Sequence, residues 1–93
     1  MKVITKVTHT RKFIKQLERV PSHIKEKVKF WVFNVGLHGL REIAKIKGYH
    51  DEPLLGERWG QRSVRLNKSY RLIYRIIQDE VHIELLEVHK HDY

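Results

Sequence analysis

Apolar residues alternate with polar ones at the beginning of the chain and then recur at helical spacing. The segment "KVITKV" predicts a first strand at residues 2 to 7, and Thr8 or Thr10 can cap the helix that follows it. The "VPS" segment ends that helix, because Pro21 disfavours helical geometry in the residue before it. The apolar positions of this first helix are Phe13, Ile14, Leu17 and Val20.

A second helix is predicted to begin with Ser22 as its cap. Phe30 and Phe33 fall on the far side of this helix from its main apolar stripe, so the helix is apolar on two faces. We expect the second face to pack against the first helix rather than against a partner chain. The residues of the main stripe are Ile24, Val28, Trp31, Val32 and Val35.

Glycines divide the rest of the helical half, and a strand-rich half follows. Gly36 and Gly39 loosen the helix, "LREIAKIK" resumes helical spacing, and Gly48 is predicted to end it. The segment "GYHDEPLLGERWGQ" is rich in turn residues and predicts a connector. The runs "RSVRL", "YRLIYRII" and "VHIELLEVH", separated by the short turns "NKS" and "QDE", predict an antiparallel meander.

The order of these elements predicts a single α+β domain over residues 1–93. Its pattern is β-α-α(-α)-β-β-β, with the helices packed on one face of a small, mainly antiparallel sheet. Strand alternation places Val64, Leu66, Tyr70, Leu72, Tyr74 and Ile76 under the helices. The other face then carries Arg65, Arg71, Ile73 and Arg75, with Lys68 at the adjoining turn. Exposed arginines are usually only solvated, so this pattern alone does not identify a binding surface.

The charge balance indicates which partners such a face could bind. The chain has 19 Lys and Arg against 11 Asp and Glu among 93 residues, a net charge of +8, which points to a polyanion such as nucleic acid. The absence of cysteine excludes disulfides and thiolate chemistry, and no apolar run approaches the ~20 residues of a membrane span. The first residues lack the features of a secretory signal, which favours a cytoplasmic protein without a membrane partner.

Several groups that RNA cleavage requires occur near the basic strands. Glu52 precedes Pro53, which favours extended geometry just upstream of the Arg65 strand. The chain ends in "EVHKHDY", which carries two imidazoles and a phenol. Cleavage through the 2′-hydroxyl needs a base for its proton, cations for the phosphate and an acid for the leaving 5′-oxygen. No cofactor or metal cage is indicated, so the expected mechanism is metal-independent.

The segments "DEPLLG", "RSVRLNKSYRLIYRI" and "VHIELLEVHKHDY" resemble the RelE superfamily of bacterial toxins, in particular the RelE, YoeB and HigB branches. The resemblance covers roughly the last half of the chain. It implies a RelE-like toxin of a type II toxin–antitoxin system that cleaves messenger RNA in the ribosomal A site. It also implies a cognate antitoxin, a DNA-binding protein encoded nearby, that silences the toxin.

The resemblance also implies roles for individual residues. Arg71 in "SYRLIY" matches the arginine that contacts the scissile phosphate, and Arg65 in "VRL" matches a cationic position on the preceding strand. Glu52 in "DEPL" matches the general base of YoeB, and Ser63 stands where RelE has a lysine. The ending "HKHDY" matches His91 with the general acid and Tyr93 with a residue that orients or stacks on the nucleotide. Further RNA contacts are predicted at Lys68, Arg75, His89 and Lys90.

Other interpretations stay open at this point. His89 could replace His91 as the acid, and "HKH" with Asp92 could supply metal ligands, although phosphate contact is favoured. Trp59 could stack on a base, but we expect it to cap the edge of the core. The principal alternative function is a ParE-like inhibitor of DNA gyrase, which shares this fold without a ribonuclease site. A plain RNA-binding module without catalysis is the third possibility.

Overall fold

A computed structural model describes residues 4–79 and 81–90 of the chain. The elements are β1 (Lys6–His9), α1 (Arg11–Arg19), α2 (Ser22–His38), α3 (Leu40–Ala44), β2 (Glu52–Pro53), β3 (Gln61–Arg65), β4 (Tyr70–Gln78) and β5 (His82–Lys90), with short 3-10 turns at Lys47–Tyr49 and Gly56–Arg58. The five strands form one sheet in the order β1-β5-β4-β3-β2, in which β1 is parallel to β5 and the other pairs are antiparallel. The predicted α+β architecture is confirmed, with β2 as an additional strand.

The first two helices begin and end near the predicted positions. The Thr10 side chain caps α1 by accepting a hydrogen bond from the Phe13 N–H at 3.1 Å. Val20 is extended before Pro21, with ψ 156°, and this ends α1. The prediction that Ser22 caps α2 is wrong, because Ser22 is already helical and Pro21 is the capping residue.

The third helix is shorter than the sequence predicts. Gly39 adopts a φ of 88°, which separates α2 from α3, and α3 then ends at Ala44. The Lys45 N–H already bonds to the carbonyl of Glu42 at 3.3 Å, the tighter spacing of a final helical turn. The predicted end at Gly48 is therefore wrong, and Gly48 lies within the following 3-10 turn.

The core lies between the helices and one face of the sheet. Trp31 of α2 packs on Tyr74 of β4, with ring centroids 5.4 Å apart, and both side chains are fully buried. The main stripe of α2 therefore faces the sheet as predicted. Other buried members of this core are Ile24, Val28, Val35, Val64, Leu66, Leu72, Ile83, Leu85 and Val88.

No helix in the described part of the chain is long and apolar enough to cross a membrane.

Three predicted side-chain environments are wrong, and a fourth residue lies on the predicted face but is buried there. Phe30 and Phe33 are 64% and 65% exposed, because α1 packs against β5 and leaves this face of α2 uncovered. Ile76 is 40% exposed, since it lies next to a register shift where the strand pairing becomes irregular. Ile73 lies on the face opposite the helices yet is only 5% exposed, beside its cross-strand partner Glu87.

Helix α1 covers the part of β5 that extends beyond β1. β1 pairs with β5 only as far as Leu85, and the Thr10 N–H then bonds to the Leu85 carbonyl at 3.0 Å. The Thr10 hydroxyl bonds to the Leu86 carbonyl at 3.3 Å, and the Gln16 side chain accepts the Val88 N–H at 2.9 Å. These contacts satisfy strand-edge groups and fix the C-terminal half of β5, which leads to His89.

Trp31→Ala is expected to lower the free energy of unfolding by about 3–5 kcal/mol, because it leaves a cavity beside Tyr74. Phe33→Ala in the same helix is the matched control, and its exposed position predicts a change within about 0.5 kcal/mol. Denaturant titration of both variants measures the difference. Similar losses in the two variants would contradict the assignment of inner and outer faces to α2.

Candidate functional site

The two arginines predicted to bind phosphate are direct neighbours across the sheet. Arg65 of β3 pairs with Arg71 of β4, and Arg71 pairs with His89 of β5. Residues in register on adjacent antiparallel strands point to the same face, with Cβ atoms roughly 4.5–5.5 Å apart. This face is opposite the helices, because Val64 and Leu72 point into the core. Arg65, Arg71 and His89 therefore form one cross-strand row, here called the cationic row.

The turn between β3 and β4 holds Arg71 in place. The Asn67 side chain accepts hydrogen bonds from the N–H groups of Ser69 and Tyr70, each at 2.8 Å. The Arg71 Nη1 donates to the carbonyls of Asn67 at 3.0 Å and Tyr70 at 3.2 Å. Asn67 therefore fixes the turn, and the backbone carbonyls of the turn orient one edge of the Arg71 guanidinium.

Glu52 faces the same side of the sheet as the cationic row, and its cross-strand row lies two residues along the strands from that row. It is in register with Ser63, which lies two residues before Arg65 on β3. Its side chain is 57% exposed, and its Oε2 lies 3.3 Å from His50 Nε2. The structure therefore brings the predicted base, both predicted phosphate ligands and His89 to one face.

A carboxylate that the sequence analysis did not identify lies beside this site. Glu87 of β5 is 14% exposed and forms an ion pair with Arg58, while its Oε1 is 3.6 Å from Lys12 Nζ and 3.5 Å from His89 Nε2. Burial raises the pKa of Glu87, but the hydrogen bond and charge of Arg58, followed by the charges of Lys12 and His89, outweigh burial and lower it. The ring Nδ1 of His89 donates to the Lys90 carbonyl at 2.9 Å, so both ring nitrogens have contacts.

The other predicted RNA contacts are less closely grouped. Arg75 is four residues along β4 from Arg71, roughly 13 Å away, and donates to Glu84 at 2.9 Å. Lys68 is exposed in the turn that holds Arg71. Lys90 is in register with Tyr70, whose side chain packs against the core, so Lys90 points to the opposite side of β5 from His89. His91 and Tyr93 lie outside the described residues.

Trp59 does not cap the core as predicted. It is 82% exposed, and Leu55 beside it is 81% exposed. Both line a cleft of about 360 Å³ next to β2, together with Pro53, Arg62 and Ile76. A short 3-10 turn, Gly56–Arg58, directly precedes Trp59, whose N–H bonds to the Gly56 carbonyl at 3.1 Å. Within residues 4–79 and 81–90, no group of three or more His, Asp and Glu side chains is placed to hold a metal ion.

No protein-family model matches the sequence, and no curated protein matches it. Solved structures are similar over nearly the whole chain. A YoeB/ParE toxin from Agrobacterium tumefaciens has a TM-score of 0.73 at 21% identity, covering 95% of this chain and 100% of that one. The RelBE2 toxin–antitoxin complex from Mycobacterium tuberculosis gives 0.71 at 24% identity, covering 96% and 100%.

YafQ from E. coli strain BL21(DE3) gives a TM-score of 0.75 at 16% identity, covering 92% of each chain. The agreement extends through the helices as well as the meander, although the sequences have diverged widely. It matches the expectation from "DEPL", "SYRLIY" and "HKHDY" that the chain adopts a RelE-like architecture. The chain therefore has the fold of the RelE superfamily of toxins.

Proposed function

We propose that this chain is the toxin component of a type II toxin–antitoxin system and an endoribonuclease that cleaves messenger RNA. It acts in the bacterial cytoplasm on messages held in the ribosomal A site, and cleavage there inhibits translation. The proposal rests on the likeness in fold to toxins and on the residues that share the open face of the sheet.

The observation that carries the proposal is the register of Arg65 and Arg71. Like charges placed directly opposite each other destabilise a sheet, so this pairing has a cost for folding. A phosphate bound between the two guanidinium groups removes the repulsion and gains charge-assisted hydrogen bonds. A phosphate in this position would contact both guanidinium groups at once, which supports phosphate binding over a merely solvated face.

The reaction that fits these groups is an attack of the 2′-oxygen on the adjacent phosphorus. Glu52 takes the proton from the 2′-hydroxyl, the new O2′–P bond forms and the P–O5′ bond breaks. Arg65 and Arg71 bind the charge that develops on the phosphate oxygens. An imidazole protonates the departing 5′-oxygen, which leaves a 2′,3′-cyclic phosphate and a 5′-hydroxyl.

Both histidines remain candidates for the acid. His89 lies in the cationic row and contacts Glu87, whereas the resemblance favours His91. Tyr93 is proposed to stack on or orient the nucleotide. Lys68 and Arg75 would contact RNA farther from the scissile phosphate, whereas Lys90 points to the other face of β5. The net charge of +8 favours binding to ribosomal RNA as well.

The proposed protein partner is an antitoxin. The similar RelBE2 structure is a toxin–antitoxin complex, and this chain has an apolar stripe on α2 that no other described element covers. An amphipathic helix with acidic borders would complement the stripe, because lysines flank it on α2. The exposed stripe is formed by Phe30, Phe33 and Leu37, and the flanking lysines are Lys25, Lys27 and Lys29.

Arg71→Ala is expected to slow single-turnover cleavage of ribosome-bound message by about 10²-fold or more, because it removes a preorganised cation from the phosphate. Arg41→Ala removes the same charge from α3, away from the cationic row, and is the control. Mapping RNA ends after expression in bacteria should give codon-phased cuts for the wild type and for Arg41→Ala only. Intact messages with accumulated gyrase cleavage complexes would instead support a ParE-like toxin.

Glu52→Gln keeps the shape of the side chain but removes the base, so cleavage should slow by about 10²–10⁴-fold with ribosome binding little changed. Glu57→Gln alters an exposed carboxylate in the same connector and should cleave at the wild-type rate. Single-turnover rates and ribosome co-sedimentation separate the chemical step from binding. An unchanged rate in Glu52→Gln would rule out its role as the base.

Toxin that has been dialysed against EDTA should retain its rate when it is returned to the magnesium buffer that ribosomes require, because the proposed reaction uses only side chains. The upstream product should carry a 2′,3′-cyclic phosphate, detectable because its 3′ end can be ligated only after the cyclic phosphate is opened and the phosphate is removed. Activity that is lost on dialysis and restored only by adding a transition metal would contradict the metal-independent mechanism.

A further inference from the structure

Asp51, the residue directly before β2, forms a partly buried ion pair with Arg62 of β3. The Asp51 side chain is only 1% exposed, and its Oδ1 accepts a hydrogen bond from Arg62 Nε at 2.6 Å. Its Oδ2 accepts a hydrogen bond from the Tyr74 hydroxyl, also at 2.6 Å. Arg62 Nη2 donates in addition to the Asp51 backbone carbonyl at 3.5 Å. Both carboxylate oxygens are therefore satisfied, as a buried charge requires.

The protonation states of this network favour a fixed geometry. Burial, followed by the charge and hydrogen bond of Asp51, raises the pKa of Tyr74, so its hydroxyl keeps the proton that it donates. Partial burial alone would lower the pKa of Arg62, but the hydrogen bond and charge of Asp51 outweigh it and raise the pKa. A neutral phenol and a charged guanidinium thus hold the Asp51 side chain from two sides.

The backbone around Glu52 has few other restraints. β2 contains only Glu52 and Pro53, and proline has no N–H for the ladder. His50 has a left-handed φ of 46°, so the chain turns sharply two residues before Glu52. The next backbone hydrogen bond beyond β2 joins the Leu54 N–H to the Gln61 carbonyl at 2.9 Å. A two-residue edge strand of this kind is weakly held by its backbone alone.

Successive residues of an extended strand point to opposite faces of the sheet. An anchor that holds Asp51 on the helix side therefore directs Glu52 to the open face, in register with Ser63 and next to the cationic row. Tyr74 is itself fully buried and packs on Trp31, so the anchor is attached to the fully buried part of the core. Glu52, by contrast, is more than half exposed and has a described contact only with His50.

We propose that Asp51, Arg62 and Tyr74 form a positioning network that sets the location of Glu52 for proton abstraction. This inference rests on the proposed nuclease function, since Glu52 acts there as the base. None of the three network residues touches the RNA; each acts through the backbone of β2. An error of about 1 Å in the position of a reacting group can cost on the order of 10²-fold in rate.

The test uses Tyr74→Phe, which removes one hydrogen bond to Asp51 but keeps the ring that packs on Trp31, and Asp51→Asn, which weakens the whole network. Single-turnover cleavage should fall about 10-fold or more in Tyr74→Phe and further in Asp51→Asn, with ribosome affinity unchanged. Tyr49→Phe removes a hydroxyl outside this network, from a half-buried tyrosine, and should retain the wild-type rate. A wild-type rate in Tyr74→Phe would overturn the proposal.

A double-variant comparison separates positioning from general destabilisation. In the Glu52→Gln background, Tyr74→Phe should cause no further loss of rate, because the group that it positions is already absent. In the Arg71→Ala background, Tyr74→Phe should lower the cleavage rate by the same factor as it does in the wild type. Equal losses in both backgrounds would mean that the network only stabilises the fold, and would overturn the proposal.

Amide hydrogen exchange provides a readout that does not require cleavage. Tyr74→Phe should speed exchange of the Leu54 N–H by about 10-fold or more, while Val88 in β5 stays protected. If the wild-type chain cuts no message, the proposed function fails, and the exchange data still decide whether the network holds β2. Unchanged exchange at Leu54 would overturn the positioning role independently of any activity.

Discussion

The register between β3, β4 and β5 determines which side chains reach the core and which reach solvent. Because side chains alternate along a strand, a shift of one residue in either pairing would move Leu72 and Tyr74 out of the core and bury Arg71. The fully buried pair of Trp31 and Tyr74 makes such a shift very unfavourable. The same packing that excludes water on one face therefore places two arginines side by side on the other.

The sheet is regular near the cationic row and irregular farther away. β4 and β5 pair without interruption from Tyr70 to Ile73, and register shifts follow between Ile73 and Tyr74 and again beyond Ile76. α1 supports the regular part of β5 by bonding to its edge through Thr10 and Gln16. The proposed site thus lies on the end of the sheet where strand pairing is least disturbed, which suits groups that must be preorganised.

Charges on the open face are arranged in two different ways. Glu87 is surrounded by Arg58, Lys12 and His89, and Arg75 is paired with Glu84, so part of the positive charge is neutralised within the protein. Arg65 instead faces another arginine. The positive charge is therefore not uniform along this face, because the cationic row places two guanidinium groups next to each other.

The sequence by itself determined the element order, the inner stripe of α2, the meander and the face on which Arg65 and Arg71 lie. These features follow from short-range periodicity, cap residues and turn residues, which act over a few positions in the chain. Local pattern also placed Glu52 in extended backbone before Pro53. The tertiary structure alone decided that Phe30 and Phe33 stay exposed, that Ile73 is buried and that β1 joins β5. It also brought Asp51 to Tyr74 and Glu87 to Lys12, contacts between residues 23 and 75 positions apart in the chain. Such contacts depend on how whole elements pack against one another, and no periodicity within a single segment encodes them.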